Sequence, residues 1–220
     1  MAQKTILSGN QRKILQTISL DKLFHKNFYL TGGTALAEFY LMHRLSEDLD
    51  FFSEKEFDSQ AIFVFFKKNQ KALKIKKIDY QQSFNRNLFF LHLDNDTIKT
   101  EFTYFPFPRI ETAVDKNGIA IDSVLDIAVN KVFTIYQKAR ARDFIDLYFI
   151  IKKYKFNLGN LIKKAKIKFD WHIDPIQLGS QFFKAQEVKD FPRMIAKEDR
   201  KSWQKFFLDE AKSIGNKILT

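Results

Sequence analysis

Residues 28–52 read Phe28-Tyr29-Leu30-Thr31-Gly32-Gly33-Thr34-Ala35-Leu36-Ala37-Glu38-Phe39-Tyr40-Leu41-Met42-His43-Arg44-Leu45-Ser46-Glu47-Asp48-Leu49-Asp50-Phe51-Phe52. Phe28 to Leu30 reads as a short strand, Gly32-Gly33 as a turn, and Ala35, Leu36, Phe39 and Tyr40 restore a helical period to about Met42. After the polar stretch His43 to Glu47, the segment Asp48 to Phe52 alternates acidic and apolar residues as a second strand. Side chains two apart on a strand share a face, so Asp48 and Asp50 point together while Leu49 and Phe51 point to the core. Two carboxylates on one face repel unless a cation neutralises them, and such a pair, with water and phosphate oxygens, suits Mg²⁺. At Gly32-Gly33 the backbone can approach a phosphate, and the following helix offers N–H groups and the positive end of its dipole. Asp-x-Asp alone is usually a surface tripeptide, and Gly-Gly alone is usually a tight turn. Their succession is what points to a triphosphate held beside a metal ion. The stretch lacks the Gly-Lys-Ser/Thr ending of a P-loop and the third glycine of a dinucleotide fingerprint.

Upstream, Ile14, Leu15, Ile18 and Leu23 predict an amphipathic helix over Asn10 to Lys22. Downstream, Ser59 is a candidate N-cap for a helix to about Leu73. Asn87 to Leu93 and Ile98 to Phe105, separated by Asp94-Asn95-Asp96, predict a hairpin. On its second strand Lys99, Glu101, Thr103 and Phe105 share one face, which makes Glu101 a candidate third metal ligand or a base for the attacking hydroxyl. Beyond Pro108 the pattern turns helical: Ser123 opens a helix to about Lys138, a second runs from about Arg142 to Lys153, and breaks are expected near Gly159 and Asp174-Pro175. Lys131 interrupts an apolar stripe between Ile127 and Ile135, so it either snorkels to solvent or aims its ammonium at an anion such as a triphosphate. The expected class is α+β: a mixed sheet in the N-terminal half, closed by a helical C-terminal half.

Forty-five percent hydrophobic content in 220 residues supplies a core, and 25 Phe against 7 Gly and 4 Pro exclude a low-complexity chain. No apolar run reaches the roughly 18 residues of a membrane helix, and the first residues lack a secretory signal, so a cytoplasmic protein without membrane contact is expected. The absence of cysteine excludes disulfides, thiolate zinc sites and a cysteine nucleophile. Four histidines without His-x-x-x-His spacing argue against a zinc enzyme, and no Gly-x-Ser-x-Gly elbow is present. The net charge of +11 is uneven: residues 1–120 carry 17 Lys+Arg against 14 Asp+Glu, and residues 121–220 carry 20 against 12. A field of that sign in the C-terminal half attracts RNA, DNA or an acidic partner.

Taken in order, Leu30-Thr31-Gly32-Gly33-Thr34-Ala35-Leu36-Ala37, then His43-Arg44-Leu45-Ser46-Glu47-Asp48-Leu49-Asp50-Phe51-Phe52, then Lys131 with Arg142-Asp143-Phe144-Ile145-Asp146-Leu147-Tyr148, resemble the AbiEii/AbiGii toxin nucleotidyltransferases of the DNA polymerase β-like superfamily. The resemblance implies a minimal nucleotidyltransferase core over residues 1–120 and a helical domain over 121–220. It implies Asp48 and Asp50 as ligands of Mg²⁺, and Gly32, Gly33, Thr34, Arg44, Ser46 and Lys131 around a nucleoside triphosphate. Lys131 and Asp143 become essential partners, and Glu101 stands where superfamily relatives place a third acid, although this branch often manages with two. The implied activity is transfer of a nucleoside monophosphate to an RNA acceptor, the transfer RNA 3′ end foremost, by a toxin with a cognate antitoxin. A small-molecule or protein hydroxyl as acceptor, and a non-enzymatic binding protein on the same scaffold, are the alternatives.

Overall fold

The computed structural model describes residues 4–197 and 199–219, without the side chains of 215–219. The chain forms two compact units: residues 1–40, 45–108 and 112–123 make the first, and residues 41–44, 109–111 and 124–220 the second.

The first unit is built on a mixed sheet whose described strands run in the order β3-β4-β5-β2-β1-β7-β6. β1 (Tyr29–Thr31) pairs antiparallel with β2 (Leu49–Ser53), setting Thr31 opposite Asp50. β2 runs parallel to β5 (Thr97–Tyr104), setting Asp50 opposite Glu101. β3 (Lys77–Ser83), β4 (Arg86–His92) and β5 form an antiparallel meander. On the other flank, β7 (Ile119–Ile121) lies parallel to β1 and carries β6 (Val114–Lys116) as the edge. The expected hairpin is the β4–β5 pair; β3, β6 and β7 had no strand signal because they are short or have solvated side chains.

Four helices complete this unit: α1 (Gly9–Ile18), α2 (Lys22–Asn27), α3 (Gly32–Leu36) and α4 (Ser59–Lys68). The single N-terminal helix expected to Lys22 is broken, because Ser19 caps α1 and the Asp21 carboxylate accepts Leu23 N–H to start α2. α4 is capped by Asp58, not Ser59. The phenylalanines explain this half of the fold. Phe102 of β5 is fully buried and has the rings of Phe24, Phe28, Phe51, Phe66 and Phe89 at centroid distances of 5.0–6.2 Å. Burying rings of this size supplies about 1.5–3 kcal/mol each, which compensates for the thin aliphatic content of the sheet. Phe51, Phe89 and Phe102 project from the sheet face opposite Asp50 and Glu101, and Phe24, Phe28 and Phe66 cover them there, so that face is packed and the acidic face is left for chemistry.

The second unit is helical: α5 (Val124–Gln137), α6 (Ala141–Tyr154), α7 (Leu158–Phe169), α8 (Pro175–Phe183) and α9 (Arg200–Leu219), with a 3₁₀ turn at Lys184–Gln186. Phe144 of α6 stacks on Trp203 and meets Phe207 of α9, which in turn meets Phe182 of α8. At the break expected near Asp174-Pro175, Asp174 caps α8 and Pro175 takes its first position. The break expected at Gly159 lies earlier: Asn157 caps α7 and Gly159 falls within its first turn. No described helix is long and apolar enough to cross a membrane.

Candidate active site

Gly32 brings the two halves of the decisive stretch together. It begins α3 with φ +72°, and a Cβ there would lie 2.8 Å from Oδ2 of Asp50. Only glycine meets both demands, since L side chains avoid that φ and no carbon can sit that close to a carboxylate oxygen. The β1–β2 pairing holds Asp50 at this turn, while the Thr34 hydroxyl of α3 donates to the Asp48 carbonyl. Thr31 precedes the helix without capping it, because its hydroxyl donates to Asp122 at 2.6 Å. After α3 the helix widens into a π turn over Ala37–Leu41, whose Tyr40 hydroxyl donates to the Asp122 carbonyl at 2.7 Å. Ser46 and Glu47 offer their carbonyls to the Gln11 side chain at 3.2 and 2.9 Å, which fixes the approach to Asp48.

Asp48 stands one residue before β2, and Asp50 lies within it. Both are half-exposed on the acidic face of the sheet. Two hard carboxylates one residue apart, beside a backbone turn with no side chain, fit a divalent cation that completes its shell with water and phosphate oxygens. Among the described residues no group of three or more His, Asp or Glu side chains is arranged for a metal ion.

Glu101, level with Asp50 on the adjacent strand, is otherwise engaged. Arg86 of β4 forks onto both its oxygens at 2.6 Å each, and Thr103 donates to Oε1 at 3.0 Å. Burial opposes ionisation of Glu101, but the Arg86 hydrogen bonds and charge carry its carboxyl below the ordinary 4.5. Arg86 is held above its ordinary value first by the Glu101 hydrogen bond, and the charges of Asp50 and Asp48 add to that. Lys99, two residues before Glu101, places Nζ 2.8 Å from Asp48 Oδ2 and 3.8 Å from Glu101 Oε2.

A second set of motif residues converges inside the helical unit. Asp146 of α6, fully buried, accepts from His43 Nε2 at 2.8 Å, Arg44 Nε at 2.6 Å and Arg44 Nη2 at 2.9 Å. Lys131 of α5 lies 2.7 Å from Asp146 and 2.6 Å from Asp143. Two cations thus face two carboxylates around a histidine. Burial works against the Asp146 charge, yet Arg44 and Lys131 carry its carboxyl well below the usual carboxylate range. Burial likewise lowers Lys131, and Asp143 and Asp146 more than restore it, to above its ordinary 10.5. Lys131 therefore neither snorkels nor stands alone before an anion: its ammonium is buried in a carboxylate pair. Arg44 is likewise turned to Asp146, and residues 43–44 are further held by Ile195 and Ala196, whose N–H groups both donate to the His43 carbonyl at 2.9 Å.

The sequence reading assigned no role to Arg86, Lys99, His43 or Asp146. Lys99 had a legible signal, its shared strand face with Glu101. Asp146 had another, lying one helical turn after Asp143. Arg86 had none, because β4 begins at the residue that turns onto Glu101.

The family model for the nucleotidyl transferase AbiEii toxin of type IV toxin–antitoxin systems matches residues 13–213. An uncharacterized protein of Aquifex aeolicus is 36% identical over 168 residues, covering 74% of this chain and 76% of that protein. JHP933 from Helicobacter pylori superposes with a TM-score of 0.61 at 22% identity, over 96% of this chain and 94% of its own. MenT4, a nucleotidyltransferase toxin of Mycobacterium tuberculosis, superposes with a TM-score of 0.56 at 14% identity, over 92% and 82% of the two chains.

Proposed function

Because the chain belongs to the nucleotidyl transferase AbiEii toxin family, we propose that it uses Mg²⁺ to transfer a nucleoside monophosphate from a nucleoside triphosphate to an RNA hydroxyl, the transfer RNA 3′ end being the preferred acceptor. The observation that carries this reading is the apposition of Asp50 to Gly32, where a Cβ would lie 2.8 Å from Asp50 Oδ2, with Asp48 two residues before Asp50. It puts carboxylates for a cation beside a turn that a phosphate chain can approach.

Asp48 and Asp50 would hold the metal, which when bound neutralises the triphosphate and polarises the phosphoryl group under attack. The acceptor hydroxyl oxygen bonds to the α-phosphorus and gives up its proton to solvent water, and pyrophosphate leaves with the electron pair of the broken bond between the α-phosphorus and the bridging oxygen. The backbone of Gly32, Gly33 and Thr34 approaches the phosphates, and the Thr34 hydroxyl fixes the Asp48 main chain. Glu101, spent on Arg86, shapes the charge of the face and is not assigned to the metal. Lys131, Asp143, Arg44 and His43 act through their buried cluster with Asp146.

The test is incubation of the purified protein with each labelled triphosphate, Mg²⁺ and total cellular RNA, resolved on a gel. Label is expected on RNA with wild type and on nothing with Asp48→Asn or Asp50→Asn, whose melting temperatures should stay close to wild type, since the Asp48–Lys99 pair is open to water. Label on the protein itself or on a small molecule would move the acceptor to another hydroxyl. Near-wild-type labelling by either folded variant would overturn the metal assignment.

A further inference from the structure

The acidic face of the sheet carries three carboxylates, Asp48, Asp50 and Glu101, and two cations that meet them unequally. Arg86 is committed to Glu101 through two bonds in fork geometry, the strong form of such a pair. Lys99 makes one hydrogen bond, 2.8 Å to Asp48 Oδ2, and lies at a longer 3.8 Å from Glu101 Oε2; the Lys99 and Asp48 side chains are 25% and 37% exposed. An ion pair this open to water costs little to separate. The two partners are nonetheless held side by side: the β2–β5 register starts at Leu49 opposite Thr100, each the next residue along, so Lys99 stays level with Asp48 whatever its ammonium does.

A divalent cation on Asp48 and Asp50 needs the Asp48 carboxylate that Lys99 occupies. Two positive charges a few ångströms apart repel, so the ammonium must swing away on its four-carbon stem. Arg86 already fills Glu101, and the new acceptors arriving at that moment are the phosphate oxygens of the substrate. We propose that Lys99 is an exchangeable counter-cation: it neutralises Asp48 until a divalent ion takes that carboxylate, and then turns its ammonium to the triphosphate. This rests on the assignment of the metal to Asp48 and Asp50. It gives the face a charge that stays nearly balanced before and after loading, and it makes Lys99 a substrate-binding residue only in the metal-loaded protein.

The experiment measures Mn²⁺ affinity by electron paramagnetic resonance without nucleotide, and then the affinity of a non-hydrolysable triphosphate at saturating Mn²⁺. Wild type, Lys99→Met, Lys99→Arg and Asp48→Asn are compared. Lys99→Met is expected to bind Mn²⁺ roughly tenfold more tightly and the triphosphate roughly tenfold more weakly, the lower end of what one charged contact contributes. Lys99→Arg should stay near wild type in both. Opposite shifts cannot come from a general loosening of the fold, which would weaken both. If Asp48→Asn loses Mn²⁺ while Lys99→Met binds it no more tightly than wild type, this proposal fails and the metal assignment stands. Mn²⁺ binding that is absent from wild type, or that survives in Asp48→Asn, overturns both.

Discussion

Gly32 carries a double constraint at the site, because φ +72° and the 2.8 Å that would separate a Cβ from Asp50 Oδ2 exclude a Cβ independently. Gly32→Ala is expected to cost about 1–2 kcal/mol for the left-handed backbone alone, and to push Asp50 off its position. A urea melt should show the stability loss, and Mn²⁺ binding should fall with it; wild-type metal affinity in the variant would mean that the apposition serves only the turn. The buried cluster makes a different demand. Asp146 is depressed well below its ordinary 3.8, so its stabilisation is complete above about that pH and is lost as pH falls through the lower folded value. Lys131 is raised above its ordinary 10.5, so its contribution is complete below that pH and is lost as pH rises through the higher folded value. Between those limits Asp146 and Lys131 add a constant amount. Lys131→Met breaks a buried pair and should cost about 3–5 kcal/mol. It also removes one of the two charges that depress Asp146, so the variant should unfold at higher pH than wild type during acid titration followed by circular dichroism. Equal acid midpoints would show that Lys131 does not sustain the Asp146 charge.

Among the elements, the β3–β4 hairpin is the least economical. Its two-residue turn, Phe84-Asn85, puts Phe84 at φ 51° with the side chain 96% exposed. A bulky residue in that region carries about 1–2 kcal/mol of strain that glycine would not. Phe84→Gly should therefore raise the midpoint of a denaturant melt, by up to about 1 kcal/mol once the entropy of an added glycine is subtracted. A drop would show that the exposed ring contributes to the fold. The same meander shows where sequence patterning runs out. β2, β4 and β5 were readable because one face of each packs on the phenylalanine core and the residues alternate accordingly. β3 is the edge strand, mostly solvated on both faces, so Lys77 to Ser83 carries no alternation to read. The carboxylate pair was visible because it is local, two residues apart at the start of β2. The partners were less so: the face of Lys99 could be read, but its pairing with Asp48, like that of Arg86 with Glu101, is set by register between strands, and in the helical unit Lys131 meets its carboxylates 12 and 15 residues away in sequence. Local periodicity places a residue on a face and leaves its partner unspecified.

For the whole molecule the salient quantity is charge, with 20 Lys+Arg against 12 Asp+Glu after residue 120. Basic charge alone does not make an RNA surface, and the structure divides the lysines of α7 by what they touch. Lys168 is buried 2.7 Å from Asp126, which also accepts the N–H groups of Ile110 and Glu111, so it is a structural cation with nothing to offer a phosphate. Phe169 is buried and stacked on Phe133 at 4.0 Å, and Lys153 lies over the Tyr154 ring. What stays open is a narrower set: Lys163, Lys164 and Lys166, which keep solvent exposure, with Trp171 56% exposed just beyond the helix end. Lysines on such a face can track a phosphate backbone while the indole stacks on an unpaired base. If the acceptor RNA docks there, replacing these three lysines with Gln should flatten the slope of log affinity against log salt by about 2, near 0.7 for each single-strand phosphate released. Trp171→Ala should weaken binding by about 1–3 kcal/mol without changing that slope, because stacking releases no counterions. Triphosphate affinity should be unchanged in both variants, since none of these residues belongs to the sheet unit that carries Asp48 and Asp50. Fluorescence anisotropy with a labelled single-stranded RNA across a salt series reads all of this. An unaltered slope in the triple variant would place the acceptor elsewhere and leave the α7 charge to an acidic protein partner.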